Sequence, residues 1–132
     1  MTALALANSA YGRVVRDTAS DSAVEARLLR QSAAEIATES KDGFRLDSAS
    51  AQRLSDNLIL WDAFASDLLS SGNTLPDALR TSLLSLGSFV RQHTHALYSG
   101  RTRDTSALVD INLAIAAGLD AQARLIDAEA VQ

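Results

Sequence analysis

The most constraining feature of this sequence is a stripe of apolar residues at its centre. Six of them recur at intervals of three, four, three, four and three residues: Ala51, Leu54, Leu58, Trp61, Ala65 and Leu68. Because an α-helix has about 3.6 residues per turn, this spacing places all six on one helix face. The stripe therefore predicts a long amphipathic helix, which ends at Ser71-Gly72-Asn73.

A second long helix is predicted directly after the first. It begins at Leu75-Pro76-Asp77, where proline fits the first turn and aspartate complements the helix dipole, and it stops at Gly100. Composition agrees, since the chain has 24 Ala and 20 Leu but only one Pro. We predict an all-α fold, a small helical bundle of four to five helices around a long antiparallel hairpin of about residues 50–71 and 76–99.

Two helices are predicted before this hairpin. The first runs over about residues 3–16 and stops at Asp17-Thr18-Ala19-Ser20. The second starts near Ser20 to Ser22 and closes at Lys41-Asp42-Gly43, and Ser22 has capping-box spacing to Glu25.

One more helix is predicted after the hairpin, starting at Asp104 or Thr105. Gly118 either ends this helix or lies within a longer one, so residues 120–132 are a helical or frayed tail. The length of the chain suits one domain over residues 1–132.

Charge and hydropathy argue against two kinds of partner. The net charge is −4 and no run of three basic residues occurs, which argues against direct binding to nucleic acid. The apolar start, residues 1–10, has no preceding positive region and is too short to span a bilayer. We interpret it as the first turns of a helix and expect a cytoplasmic protein without membrane association.

No catalytic, cofactor-binding or metal-binding residue is predicted. The sequence has no Cys and no G-x-S-x-G motif, and its six glycines are scattered singly. His93 and His95 are two residues apart, which turns them about 200° away from each other on a helix, so they cannot share a metal ion. We therefore expect a binding protein and not an enzyme.

Four motifs follow one another between residues 10 and 119. They are Ala10-Tyr11-Gly12-Arg13-Val14, Asn57-Leu58-Ile59-Leu60-Trp61, Leu75-Pro76-Asp77-Ala78-Leu79-Arg80 and Leu108-Val109-Asp110-Ile111-Asn112. In this order and spacing they resemble the flagellar biosynthesis regulator FlaF family, small helical proteins of flagellated bacteria. The most specific feature is the LP-x-x-LR element followed later by DIN-x-x-I-x-x-GL.

The resemblance implies a role in flagellin production. Proteins of this kind are required for flagellin to be made and assembled, and they oppose FlbT, a repressor of flagellin synthesis. The resemblance further implies that they bind flagellin, whose terminal regions are amphipathic helices, as a secretion chaperone would. The alternative is a post-transcriptional regulator that acts through FlbT or on flagellin mRNA.

Some apolar residues lie beside the main stripes and suggest a second neighbour for each long helix. This neighbour is flagellin, another helix of the chain or a second copy. The candidate partner-binding residues are Phe89, Leu84, Ile59, Phe64, Trp61 and Asp110.

Several of these residues have a structural alternative. Trp61 lies within the main stripe and is either a core anchor or a partner-facing aromatic residue. Asp110 forms either an ion pair, with Arg80 as the candidate, or a polar contact to the partner. Asn57 and Asn112 are expected to bridge helices by hydrogen bonds.

Overall fold

The computed structural model describes residues 15–37 and 44–131, and all regular secondary structure within them is helical. The helices are α1 (Val15–Ala37), α2 (Ser48–Leu69), α3 (Asp77–Tyr98) and α4 (Ser106–Val131). The prediction of a small all-α bundle is confirmed. The predicted helical residues 3–14 and the predicted stop at Lys41-Asp42-Gly43 lie outside the described residues.

The predicted break at residues 17–20 is wrong, because α1 passes through it as a continuous helix. Ser22 and Glu25 therefore lie inside α1, where both are buried, and do not form a capping box at a helix start. Aspartate, threonine and serine cost only some tenths of a kcal/mol each within a helix, about the size of the differences in helix propensity. Extending an existing helix is cheaper than starting a new one, since each new start repeats the nucleation cost.

Local signals account for the starts of α2 and α3 and for the end of α3. The Asp47 carboxylate accepts a hydrogen bond from the Ser50 amide at 2.9 Å, which caps α2 and lowers the pKa of Asp47. Asp77 lies in the first turn of α3. Gly100 follows α3 with φ of 76°, a left-handed conformation that favours glycine. At the C-terminal end, α4 continues through Gly118 to Val131.

The helices form a ring in the order α1, α2, α3, α4, with α4 returning to α1. Ser32 of α1 bonds to Asn57 of α2, and the earlier Glu25 of α1 lines one cavity with the later Phe64 of α2. These two helices are therefore antiparallel. On α1 and α4, Ser22 shares that cavity with Leu119 and Ala37 shares another with Val109. These helices are antiparallel too, and they make the most extensive contact in the ring.

The contact between α2 and α3 is smaller than that between α1 and α4. The Tyr98 hydroxyl near the end of α3 is 3.5 Å from the Ala51 carbonyl oxygen near the start of α2, and Arg91 pairs with Asp62. α3 and α4 make the smallest contact of the four neighbouring pairs. The largest fully buried apolar side chains come from all four helices and are Leu29, Ile36, Leu54, Leu68, Val90, Leu97 and Leu108.

A buried polar network joins α1, α2 and α4. The Asn112 amide of α4 donates to Asn57 Oδ1 at 2.8 Å and to the Leu29 carbonyl oxygen at 3.3 Å. Its Oδ1 accepts from the Trp61 indole N–H at 2.9 Å, while the Ser32 hydroxyl donates to Asn57 Oδ1 at 2.9 Å. The prediction that Asn57 and Asn112 bridge helices is confirmed.

Candidate partner-binding surface

Two of the predicted partner-binding residues are part of the core. Trp61 and Phe64 are each only 3% exposed, and their rings meet edge to face with centroids 5.6 Å apart. Trp61 also uses its indole N–H within the buried network. The structure thus gives these two aromatic residues a place in the interior and not on a surface that a partner can reach.

Three other predicted residues lie apart from one another. Ile59 is 46% exposed on the outer face of α2. Leu84 is half-buried on the flank of α3 next to α2, where it lines a cleft with Trp61. Asp110 is exposed near the start of α4, and Arg80 pairs with Asp77 on its own helix and not with Asp110.

Of the predicted partner-binding residues, Phe89 lies beside a second helix and also has an exposed side chain. It is 43% exposed and stacks on His93, one helical turn later, with ring centroids 5.5 Å apart. His93 Nε2 is 2.6 Å from the carbonyl oxygen of Asp104, which lies just before α4. Phe89 therefore lies on the flank of α3 that borders α4.

This flank of α3 carries a regular uncharged stripe. Arg91 and Leu84 mark the side of α3 that faces α2, and the stripe lies on the other side. Its members recur at intervals of three, four, three, four and three residues and are Leu79, Ser82, Leu86, Phe89, His93 and Ala96. None of them is Asp, Glu, Lys or Arg, so an apolar partner can cover this stripe without burying a fixed charge.

The flank of α4 that is turned away from Asp120 carries a similar stripe, most of which is exposed. Asp120 pairs with Arg30 of α1 and so marks the side of α4 that faces α1. On the opposite flank, uncharged residues recur at intervals of four, three, four, three and four: Ala107, Ile111, Ala114, Gly118, Ala121 and Leu125. Leu125 is 63% exposed and Gly118 has open space around its Cα.

These two stripes border the least extensive helix contact of the ring, and together we name them the α3–α4 seam. Sequence analysis found Phe89 but not the α4 stripe, because alanine and glycine contribute little to an apolar pattern. The α4 stripe could have been recognised in the sequence because none of its six positions carries a charged residue. Both borders have the three- and four-residue spacing of one helix face.

The polar features of the described surface include two carboxyl groups with shifted pKa values. Asp67 lines a cavity of about 110 Å³ near the α2–α3 turn, and burial raises the pKa of its carboxyl group. Hydrogen bonds from the Ser106 hydroxyl and amide lower the pKa of Asp104. Among residues 15–37 and 44–131, no three His, Asp or Glu side chains are grouped so that they could hold a metal ion.

Comparison with known families decides the class of this protein. The family model described as flagellar protein FlaF matches residues 7–119, which is most of the chain. The chain belongs to the FlaF family. FlaF proteins are flagellar proteins, and the match includes α1, α2 and α3 together with the half of α4 that ends at Leu119.

The other comparisons add no relative. No curated protein and no solved structure gives a significant match. None of the described helices is long and apolar enough to cross a membrane. The resemblance to the FlaF family that the four motifs carry is thus confirmed by the family match alone.

Proposed function

We propose that this protein binds flagellin before the filament assembles, and that it promotes flagellin synthesis and flagellum assembly as a secretion chaperone in the cytoplasm. The observation that carries the proposal is the α3–α4 seam, two uncharged stripes beside a weak helix contact. Membership in a flagellar family supports a flagellar partner. The terminal regions of flagellin are amphipathic helices that lack their filament neighbours before assembly, so they need a cover of this chemistry.

The dimensions of the seam suit one helix of a partner. The α3 stripe from Leu79 to Ala96 spans about 26 Å and the α4 stripe from Ala107 to Leu125 about 27 Å, at about 1.5 Å per residue. A helix of about 18 residues would therefore contact both stripes along their whole length. Helix-in-groove recognition of this kind uses apolar anchors at three- and four-residue intervals.

Residues in the middle of the seam would contribute most to affinity. Phe89 offers a large apolar surface, and aromatic residues near the centre of an interface commonly dominate its binding energy. Across the seam, Ala114 and Gly118 are small enough for a helix backbone to approach α4 closely. In this arrangement the protein acts by binding and carries out no chemical step.

A matched pair of charge substitutions tests the proposal. Phe89 and Ile59 are 43% and 46% exposed, but only Phe89 lies in the seam. Calorimetric titration with purified flagellin is expected to show that Phe89→Asp weakens binding about tenfold or more, whereas Ile59→Asp leaves it unchanged. Circular dichroism on both variants checks that the helices are intact.

Three outcomes would overturn the proposal. One is the absence of any complex between the unsubstituted protein and flagellin. Another is equal binding of flagellin by Phe89→Asp and Ile59→Asp, which would place the contact outside the seam. The third is a titration in which FlbT binds in a manner sensitive to Phe89→Asp while flagellin does not bind.

A further inference from the structure

At the end of the bundle where α3 leads into α4, the structure has a cleft that is not part of the α3–α4 seam. We propose that this cleft binds a segment of a second protein in which carboxylate groups flank an apolar side chain. The carboxylates pair with Arg45 and Arg103, and the apolar side chain covers Phe44 and Leu97. This inference goes beyond the proposed function, because it concerns another surface and does not depend on flagellin.

The walls of the cleft come from the segment before α2 and from the loop after α3. They consist of residues 44–46 and 97–100 together with Thr102 and Arg103, and they border a volume of about 440 Å³. We name this site the arginine cleft. Volumes of about 300–1,000 Å³ are typical of ligand-binding clefts, so the arginine cleft has room for side chains of a short peptide segment.

The charge of the arginine cleft is opposite to that of the whole chain. Arg45 and Arg103 line it, and no Asp or Glu does. Three other clefts among the described residues each include at least one acidic residue. Because the chain as a whole has a net charge of −4, an acidic segment is attracted to this part of the surface more than to the rest.

Two acidic residues near the cleft are engaged at helix starts. The Asp47 carboxylate accepts a hydrogen bond from the Ser50 amide at 2.9 Å, and the Asp104 carboxylate accepts one from the Ser106 amide at 2.9 Å. Neither Asp47 nor Asp104 lines the cleft. They offset part of the positive charge at this end of the bundle, but their carboxylates are held at the starts of α2 and α4.

Hydrogen bonds fix the position of the Arg103 guanidinium. Its Nε and Nη2 atoms donate to the Phe44 carbonyl oxygen at 3.1 and 3.0 Å. This acceptor is uncharged, so it orients the guanidinium without neutralising it. The group has further N–H donors in the same plane, which suit the two oxygens of a carboxylate. Since the side chain is already ordered, its pairing with a partner loses less conformational entropy.

Apolar side chains supply the rest of the cleft. Phe44 and Leu97 are buried beneath it, while Leu46 is 49% exposed and available for cover by a partner. Arg45, Leu46 and Arg103 are all exposed, so the cleft is wide open to solvent. A small ligand is usually enclosed over most of its surface, so this open shape suits a segment of a larger protein better.

The arginine cleft and the α3–α4 seam have no residue in common. On α3, the seam stripe ends at Ala96 and the cleft begins at Leu97. A partner in the cleft therefore leaves Phe89 uncovered. The two surfaces can be tested separately in the same full chain.

Selection from a phage-displayed library of random short peptides tests the chemistry of the occupant. The full chain is immobilised, and bound phage are sequenced after several rounds. We expect the enriched peptides to have Asp or Glu next to a large apolar residue. Binding of the most enriched peptide, measured by fluorescence anisotropy, should weaken severalfold as the salt concentration rises, because the ion pairs at this exposed site are screened.

Two matched pairs of variants locate the peptide. Arg45→Gln should weaken its binding about threefold to tenfold, whereas Arg27→Gln removes an equal charge from an exposed position on α1 and should leave it unchanged. Leu46→Ser should weaken binding about threefold or more, whereas Leu113→Ser should not. Leu46 and Leu113 are 49% and 45% exposed, so the second pair differs in position and not in burial. Circular dichroism checks that the helices of each variant are intact.

Several results would overturn the inference. They are a library that yields no enriched peptide, enrichment of basic or purely apolar peptides, and equal binding by Arg45→Gln and Arg27→Gln. Peptide binding that is lost in Phe89→Asp and kept in Arg45→Gln would place the contact in the seam instead. Self-association of the chain that Arg45→Gln abolishes would identify a second copy as the occupant in place of a different protein.

These results are distinguishable from a failure of the proposed function. Flagellin binding that depends on Phe89, together with no peptide binding in the cleft, would reject this inference alone. Acidic peptides that bind through Arg45, together with no flagellin binding, would reject flagellin as the partner and keep the arginine cleft as a binding site.

Discussion

Replacing Asn112 with leucine tests how much the buried network contributes to the way α1, α2 and α4 pack. The substitution keeps a similar volume but removes the acceptor of the Trp61 indole N–H and a donor to Asn57. Asn57 still accepts from the Ser32 hydroxyl, and the Leu29 carbonyl oxygen keeps its bond within α1. The main loss is therefore the buried indole N–H.

The size of this loss follows from the cost of orphaned polar groups. A buried donor without an acceptor costs about 1–3 kcal/mol, and the lost bond to Asn57 about 1 kcal/mol more. We expect Asn112→Leu to lower the free energy of unfolding by about 2–4 kcal/mol, a large share of the roughly 5–15 kcal/mol of a typical domain. Urea denaturation followed by far-UV circular dichroism measures this change.

A double-mutant cycle with Trp61→Phe isolates the hydrogen bond from the change in packing. Phenylalanine has no N–H, so in that background Asn112→Leu orphans no indole and should cost about 1–3 kcal/mol less. Gln92→Leu, on the exposed surface of α3, controls for a general effect of added leucine and should stay within about 0.5 kcal/mol. A coupling energy below about 0.5 kcal/mol would refute the reasoning.

Two further predictions concern single positions. Gly87→Ala should raise the free energy of unfolding by about 1 kcal/mol, because alanine favours the helix and the added Cβ would meet Trp61 at 3.4 Å, an ordinary contact. A lower free energy of unfolding, measured by urea denaturation, would contradict this prediction. Asp67→Asn should raise Tm at neutral pH, because burial raises the pKa of Asp67 in the folded state above its unfolded value of 3.8, so its charged form disfavours folding. The difference in Tm between Asp67→Asn and the unsubstituted protein should shrink as pH falls through that raised pKa. Asp47 and Asp104 have lowered pKa values, and the stabilisation they give is lost at lower pH in both proteins, so it does not affect the difference. A Tm difference that stays constant with pH would contradict the assignment.

The central stripe shows how far sequence reasoning reaches in this protein. The periodicity predicted a helix there, and α2 is that helix. Its buried face, however, consists of Ser50, Leu54, Asn57, Trp61, Phe64 and Leu68, with the same three- and four-residue intervals shifted round from the predicted stripe. A search for apolar residues does not identify Ser50 and Asn57 as buried, because their burial depends on partners that the linear sequence does not reveal.

The misplaced boundary in α1 has a related cause. Capping residues such as Ser22 have the same local appearance at a helix start and inside a helix that other contacts stabilise. The choice between the two depends on long-range packing, here the extensive contact between α1 and α4. Short-range spacing was thus sufficient for the type of each described element, whereas the continuity of α1 through residues 17–20 and the length of α4 required the whole bundle.

The buried polar network and the α3–α4 seam consist of different residues. Within the described residues, the side chains of the network come from α1, α2 and α4, and α3 contributes none. α3 is held mainly through α2 and meets α4 over the smallest contact of the ring. A helix that enters the seam and moves α3 away from α4 therefore breaks no bond of the network. The proposed function therefore predicts that substitution of Asn112 lowers stability without changing flagellin binding, and that substitution of Phe89 weakens flagellin binding without lowering stability.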